Sequence, residues 1–256
     1  MPPTPFLPTG RHEVVGDLDE LGVLAAPGIL PRRAFVWKPP RYDPRRPHPV
    51  LYMHDGLNLV SPETASYGAD WQVDEVAAGL IAAGRMEPIL IVGAECTPGR
   101  MDEYGDTEAG RAYLRFLVED LKPLVDRRYR TRPGRESTAV MGSSMGGLIS
   151  LLAVFLHGGV FGGAGCLSPA FPDTLCEQVA ASAWPDCPRR LYLDNGGVGL
   201  DAELQPGLDR MLAILEAKGF RRGEDLDVVI DPRAEHHEEA WAARVWRPLE
   251  FLFGSP

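Results

Sequence analysis

The chain has 256 residues, 45% hydrophobic and 24% charged, with 26 Lys and Arg against 36 Asp and Glu for a formal net charge of −10. This apolar content excludes a disordered tail, and 4 Cys in such a length are too few for a disulfide scaffold. An acidic chain repels phosphate, so nucleic acid is not an expected partner, and one α/β domain over 1–256 is expected.

Residues 1–30 carry little pattern. Arg32–Lys38 reads as an antiparallel strand at the edge of a sheet. Val50–Met53 reads as a buried strand, followed by others at 88–93, 137–141, 190–193 and 226–230. Helical patterns lie between them. Leu114, Leu117, Val118, Leu121 and Val125 recur at helical spacing after Asp106 and Thr107, either of which could cap the helix. A second helix is expected at 148–156, a third at 204–218 that stops at Gly219, and a fourth around Trp241. Strands alternating with helices predict a mostly parallel sheet covered on both faces.

The run at 151–156 stops at His157, far short of the roughly 18 apolar residues a membrane span needs. The N-terminus shows neither a basic n-region nor an apolar h-region, so a soluble, cytoplasmic protein is expected with no membrane partner. Cys96, Cys166, Cys176 and Cys187 have no metal-ligand spacing and read as reduced thiols. Only Cys176 and Cys187 are near enough in sequence for a loop disulfide. No cofactor and no metal are expected.

The chemistry concentrates in Gly142-Ser143-Ser144-Met145-Gly146, a G-x-S-x-G between a strand and a helix. Such a turn exposes the Ser144 hydroxyl, and Gly142 and Gly146 are expected to leave room where side chains would collide. A serine hydroxyl needs a base and a group to orient that base. His236 and His237 follow the last strand and stand where the base belongs. His12, His48 and His157 read as exposed, and His54 ends a strand. A metal reading of His236-His237-Glu238-Glu239 lacks a third ligand at sensible spacing. Asp194, Asp201 and, more remotely, Glu203 follow the strand at 190–193 as candidates for the orienting acid. Asp194 and Asp201 read equally as a turn residue or a helix N-cap. The developing oxyanion needs two backbone N–H donors. Met145 supplies one, and Leu57 in His54-Asp55-Gly56-Leu57-Asn58 the other, with Gly56 expected to let the backbone approach the substrate.

These residues resemble an esterase branch of the α/β-hydrolases, which includes enterochelin-type siderophore esterases, feruloyl esterases, S-formylglutathione hydrolase and the antigen 85 mycolyltransferases. The resemblance runs through Leu51 to Asn58, Tyr67 to Trp71, Glu103-Tyr104, Phe116 to Thr131, the serine motif, Leu167-Ser168-Pro169 and His236 to Trp241. It implies an α/β-hydrolase fold without a large lid domain. The family's H-x-E-x-x-W pattern selects His236 as base, and its D-x-G pattern puts Asp194 in the first, non-catalytic position and Asp201 as the acid. The loop before Asp201 is a residue or two longer than usual. Leu57 and Met145 match the family's oxyanion donors.

Arg100 to Tyr104 matches an R-x-x-E-Y element, so Glu103 and Tyr104, with Asp55, are expected to shape the substrate pocket, or Arg100 and Glu103 to form a salt bridge. Asp70 and Trp71 either line the site or pack beneath it. Only the segments at 95–109 and 169–188 have room to cover a site, which favours small or extended soluble esters over long-chain lipids. Together these readings predict a serine carboxylesterase working through an acyl-enzyme. An acyltransferase with an alcohol acceptor and an inactive binding protein on the same fold are the alternatives.

Overall fold

A computed structural model describes residues 12–184 and 190–255. Eight strands form one sheet: β1 (Asp17–Leu24), β2 (Arg32–Lys38), β3 (Val50–Met53), β4 (Leu90–Ala94), β5 (Thr138–Ser143), β6 (Gly163–Leu167), β7 (Arg190–Gly196) and β8 (Leu226–Asp231). Their spatial order is β1-β2-β4-β3-β5-β6-β7-β8. β1 pairs antiparallel with β2, and β2 with β4, while every pairing from β4 to β8 is parallel.

The helices are α1 (Val73–Ala82), α2 (Arg100–Glu103), α3 (Glu108–Arg115), α4 (Lys122–Arg128), α5 (Met145–Leu156), α6 (Asp173–Ala181), α7 (Leu200–Ala217), α8 (Glu238–Arg244) and α9 (Trp246–Phe253). They cover both faces because alternate strand residues are apolar on both sides. Ala34 and Val36 of β2 and Val50 and Tyr52 of β3 join a core under α3, α4, α5, α6 and α7. Phe35, Trp37, Leu51 and Met53 point the other way, into a core under α1, α8 and α9. This is an α/β-hydrolase fold with no large lid domain among the described residues.

Two strands escape the sequence reading. β1 lies outside β2, so β2 is not the edge as expected. Its sequence, DLDELGVL, lacks a strand's apolar alternation and is held by its partner: Asp19 bridges to Lys38 at 2.8 Å, and a bulge between Glu20 and Gly22 turns Leu21 into the core. β6 contains two glycines and no β-branched residue, yet it is fully buried. At Gly165 a Cβ would sit 2.8 Å from the Met141 side chain of neighbouring β5, so close strand packing selects glycine over a better strand former.

The helix after Thr107 forms as expected, with the Thr107 hydroxyl accepting from Gly110 N–H at 3.0 Å. It is not uniform: a π-helical turn at Phe116–Leu121 separates α3 from α4. Pro123 has no N–H to donate to the preceding turn, and the ladder widens just before it. α7 begins at Leu200, earlier than the expected 204, and Gly199 rather than Asp201 is its cap.

The chain crosses from β3 to β4 on one side, then to β5 on the other, so the strand order reverses at β3 and β5. Ligands of open parallel sheets settle at the C-terminal ends beside such a reversal. The loop at 54–58 leaves β3 there, and Ser144 leaves β5.

Candidate active site

Ser144 is the single residue between β5 and α5, with φ 56° and ψ −120°, a conformation a non-glycine residue adopts only under constraint. Its N–H donates to Leu167 O at 2.9 Å, and its carbonyl accepts from Leu148 and Ala170, which pins the turn on both sides. Gly142 is required, since a Cβ there would lie 2.8 Å from His54 Cδ2 and 2.9 Å from Gly146 C. The expected collision at Gly146 is absent: a Cβ there would meet Asp55 Oδ2 and His54 Cβ at 3.5 Å, an ordinary contact.

The turn opens into a cavity of about 430 Å³ lined by Ser144, His236, His237 and Trp241 on one side and Asp55, Asn58, Cys96 and Arg100 on another. His236 Nδ1 stands 2.6 Å from Asp201 Oδ1. Asp201 is fully buried and also accepts from Gly196 N–H at 2.8 Å. The His236 ring meets Trp241 edge-on at 5.0 Å, which fixes its plane. His237 caps α8 with an exposed side chain, 3.8 Å from Glu235.

Asp194 takes a different part. It is fully buried within β7 and is paired through both oxygens with Arg244 at 3.1 Å, while Tyr192 donates to it. Burial pushes its carboxyl up, and Arg244 works against that shift. Glu203 lies on α7 as an exposed residue.

On the facing loop, Leu57 lies in a short 3₁₀ turn, Gly56–Asn58, and Met145 opens α5. Backbone N–H groups in the first turn of a helix have no intrahelical acceptor, which leaves both N–H groups unused by their own helices. Asp55 rather than Gly56 takes the left-handed conformation, at φ 53°. Gly56 answers to β4 and not to a substrate, because a Cβ there would sit 3.0 Å from the carbonyl carbons of Gly93 and Ala94.

The loop is clamped from below. Arg100 grips Asp55 with two bonds of 2.7 and 2.8 Å, and Asp55 N–H donates to Tyr104 Oη at 3.2 Å. Asn58 Nδ2 donates to Glu238 Oε1 at 3.2 Å, tying this loop to the His236 loop, and burial raises the Glu238 carboxyl.

Of the residues expected to shape the substrate pocket, Asp55 lines it but Glu103 and Tyr104 do not. Glu103 is buried against Arg32 at 2.8 Å and Thr97 at 2.6 Å, so it forms a salt bridge, but not with Arg100. Tyr104 is fully buried beneath the loop at 54–58. Trp71 packs under the site against Trp241 at 5.7 Å, and Asp70 caps the following turn through Gln72 N–H. Segment 95–109 reaches the cavity through Cys96 and Arg100, whereas none of the described residues of 169–188 lines it. Ser66 and Tyr67, the latter 82% exposed, line it instead.

Other expectations are settled by burial. His48 is buried, not exposed, with its nitrogens 3.0 Å from Pro88 O and 3.2 Å from Asp43 O. His54 is buried beside Tyr113 Oη at 2.7 Å, and burial lowers it to about 3, which keeps it neutral. Cys96 lines the cavity, but burial, aided by Asp55, pushes its thiol up to about 12, so it is no thiolate at neutral pH. Cys166 and Cys176 are free, and the suggested partner of Cys176, Cys187, lies outside the described residues. No helix among the described residues is long and apolar enough to cross a membrane.

Residues 31–245 match the family model described as "Putative esterase". The chain belongs to this esterase family. It is similar to the uncharacterized protein YbbA of Bacillus subtilis, with 22% identity over 87% of this chain and 93% of that protein. An endo-1,4-beta-xylanase/feruloyl esterase of Xylanibacter ruminicola is 23% identical over 68% of this chain but only 22% of its own length.

Among solved structures, a ferulic acid esterase of the anaerobic fungus Anaeromyces mucronatus superposes with a TM-score of 0.72 at 20% identity, covering 98% of this chain and 95% of that one. An enterobactin esterase of Shigella flexneri gives 0.76 at 18% identity, covering 92% and 58%. The protein is thus an enzyme acting on ester bonds, on a fold that its structural neighbours share.

Proposed function

We propose that this esterase is a serine carboxylesterase that turns over small or extended soluble esters through an acyl-enzyme on Ser144. The observation that carries the reading is the 2.6 Å contact of His236 with buried Asp201 at the cavity into which the strained Ser144 turn opens. His236 Nε2 takes the Ser144 proton as the oxygen attacks the ester carbonyl, and Asp201 holds the ring and balances the imidazolium that forms. Leu57 and Met145 N–H groups stabilise the oxyanion, each worth about 2.7–4 kcal/mol. The leaving alcohol takes the proton back from His236. Water then repeats the sequence and frees the acid.

The cavity suits an ester with an aromatic part. Tyr67 and Trp241 line it, and ferulic acid and enterobactin esterases share the fold. Hydrolysis of p-nitrophenyl esters from C2 to C8 and of a hydroxycinnamate ester, by the parent enzyme and Ser144→Ala in parallel, tests the reading. Turnover and a fluorophosphonate adduct by intact mass should both vanish in the variant. A parent enzyme that takes no adduct would refute it.

A further inference from the structure

Ser168 follows β6 directly, fully buried, and its φ of 41° turns the side chain under the site. Its backbone N–H is held by Asp194, bonding that residue's carbonyl at 3.0 Å and its Oδ1 at 3.2 Å. Three groups surround the Ser168 hydroxyl: Trp241 Nε1 at 3.0 Å, Arg244 Nη2 at 3.1 Å and Asp201 Oδ2 at 3.0 Å. Indole and guanidinium nitrogens only donate, so the oxygen accepts from both. Its single proton has one place left to go, Asp201.

We infer that Ser168 is a positioning residue that holds the triad acid as a correctly turned carboxylate, passing the field of Arg244 through its hydroxyl to Asp201 and so to His236. This rests on the triad reading above. Every contact of Asp201 is then one it accepts: His236 Nδ1–H on Oδ1, and Gly196 N–H with Ser168 O–H on Oδ2. A carboxylate with both oxygens engaged can neither rotate away nor take the proton that His236 receives from Ser144. Donation by Arg244 into the hydroxyl oxygen polarises its O–H toward Asp201 and strengthens that bond. Asp194, which resembles a competitor for the acid's place, instead balances Arg244 and grips the backbone of Ser168. The two buried acids therefore have separate roles. Asp201 faces the imidazole, and Asp194 fixes the donor behind it.

The experiment compares Ser168→Ala, Ser168→Cys, Asp201→Asn and the double variant Ser168→Ala/Asp201→Asn, with kcat and KM corrected for the folded, titratable fraction. Ser168→Ala should lose about 10- to 100-fold in kcat with KM nearly unchanged, as expected for one hydrogen bond to a charged group. The acid limb of its kcat/KM profile should move to higher pH, because an Asp201 charge no longer shared with the hydroxyl holds the imidazolium more tightly. Ser168→Cys, with a weak S–H donor, should fall between. In the Asp201→Asn background, Ser168→Ala should add almost nothing.

Parent-like kcat and pH profile in Ser168→Ala, beside an impaired Asp201→Asn, would overturn the inference alone. Full additivity in the double variant, or a loss seen only as a lower Tm, would do the same. Parent-like activity in Asp201→Asn would instead overturn the triad reading.

Discussion

His236 and His237 are neighbours in sequence with the same titrating group, and what separates them is direction. His236 reaches buried Asp201, while His237 caps α8 beside exposed Glu235. In the triad reading, His236→Ala should lower kcat by about four orders of magnitude or more, as loss of a triad base does elsewhere, whereas His237→Ala should stay within about tenfold. Steady-state kinetics on one p-nitrophenyl ester decides it, and the reverse ranking would sink the register. The sharp turn at Ser144 was legible because its motif has a steric logic, which falls on Gly142 and not on Gly146. Asp194 and Asp201 were not separable by spacing, since both come after the strand read at 190–193, and only the resemblance favoured Asp201. Their division depends on Arg244, fifty positions beyond Asp194, and on Ser168, which no spacing rule marks.

At the scale of elements, the loop after β3 is held by parts that arrive from a different crossover. Arg100 on α2 binds Asp55 through two parallel bonds, the geometry that fixes a carboxylate most firmly. Arg100→Ala should therefore loosen the Leu57 N–H and lower kcat by about 10- to 100-fold. Arg100→Lys should recover little of this, because an ammonium cannot form the two-point contact. Parent-like kcat in both would show that the loop keeps its shape unaided. The pattern Arg100 to Glu103 suggested a local pair, but the structure sends Arg100 to Asp55 and Glu103 to Arg32. Helical spacing brings those two residues near enough to pair; which partner each takes is decided by the sheet packed behind them. β1 and β6 were missed for a related reason: charge-rich and glycine-rich strands form when neighbours supply the register.

For the molecule as a whole, stability couples to the same region through His54. Its imidazole is buried and neutral, lowered to about 3 in the folded state against an ordinary 6.5 when unfolded. Above pH 6.5 neither state binds the proton. Between 6.5 and 3 only the unfolded chain does, so folding should weaken by up to about 1.4 kcal/mol for each pH unit of descent. Thermal melts at pH 7, 6 and 5 should show Tm falling, with a shallower slope in His54→Gln. An equal slope in that variant would assign the acid sensitivity to other groups.

The sequence by itself determined the layers of this protein and the kind of chemistry they carry. Apolar periodicity, strand-helix alternation and a sharp strand-to-helix turn are local properties, written in residues that touch along the chain. Which carboxylate stands against His236, which arginine clamps the loop at 54–58 and where the outermost strand lies are visible in the tertiary structure. The side-chain contacts involved depend on distance and desolvation between residues 35 to 76 positions apart, such as His236 with Asp201, Arg100 with Asp55 and Arg244 with Ser168. A buried charge must find its partner in space. The fold decides which partner stands within reach.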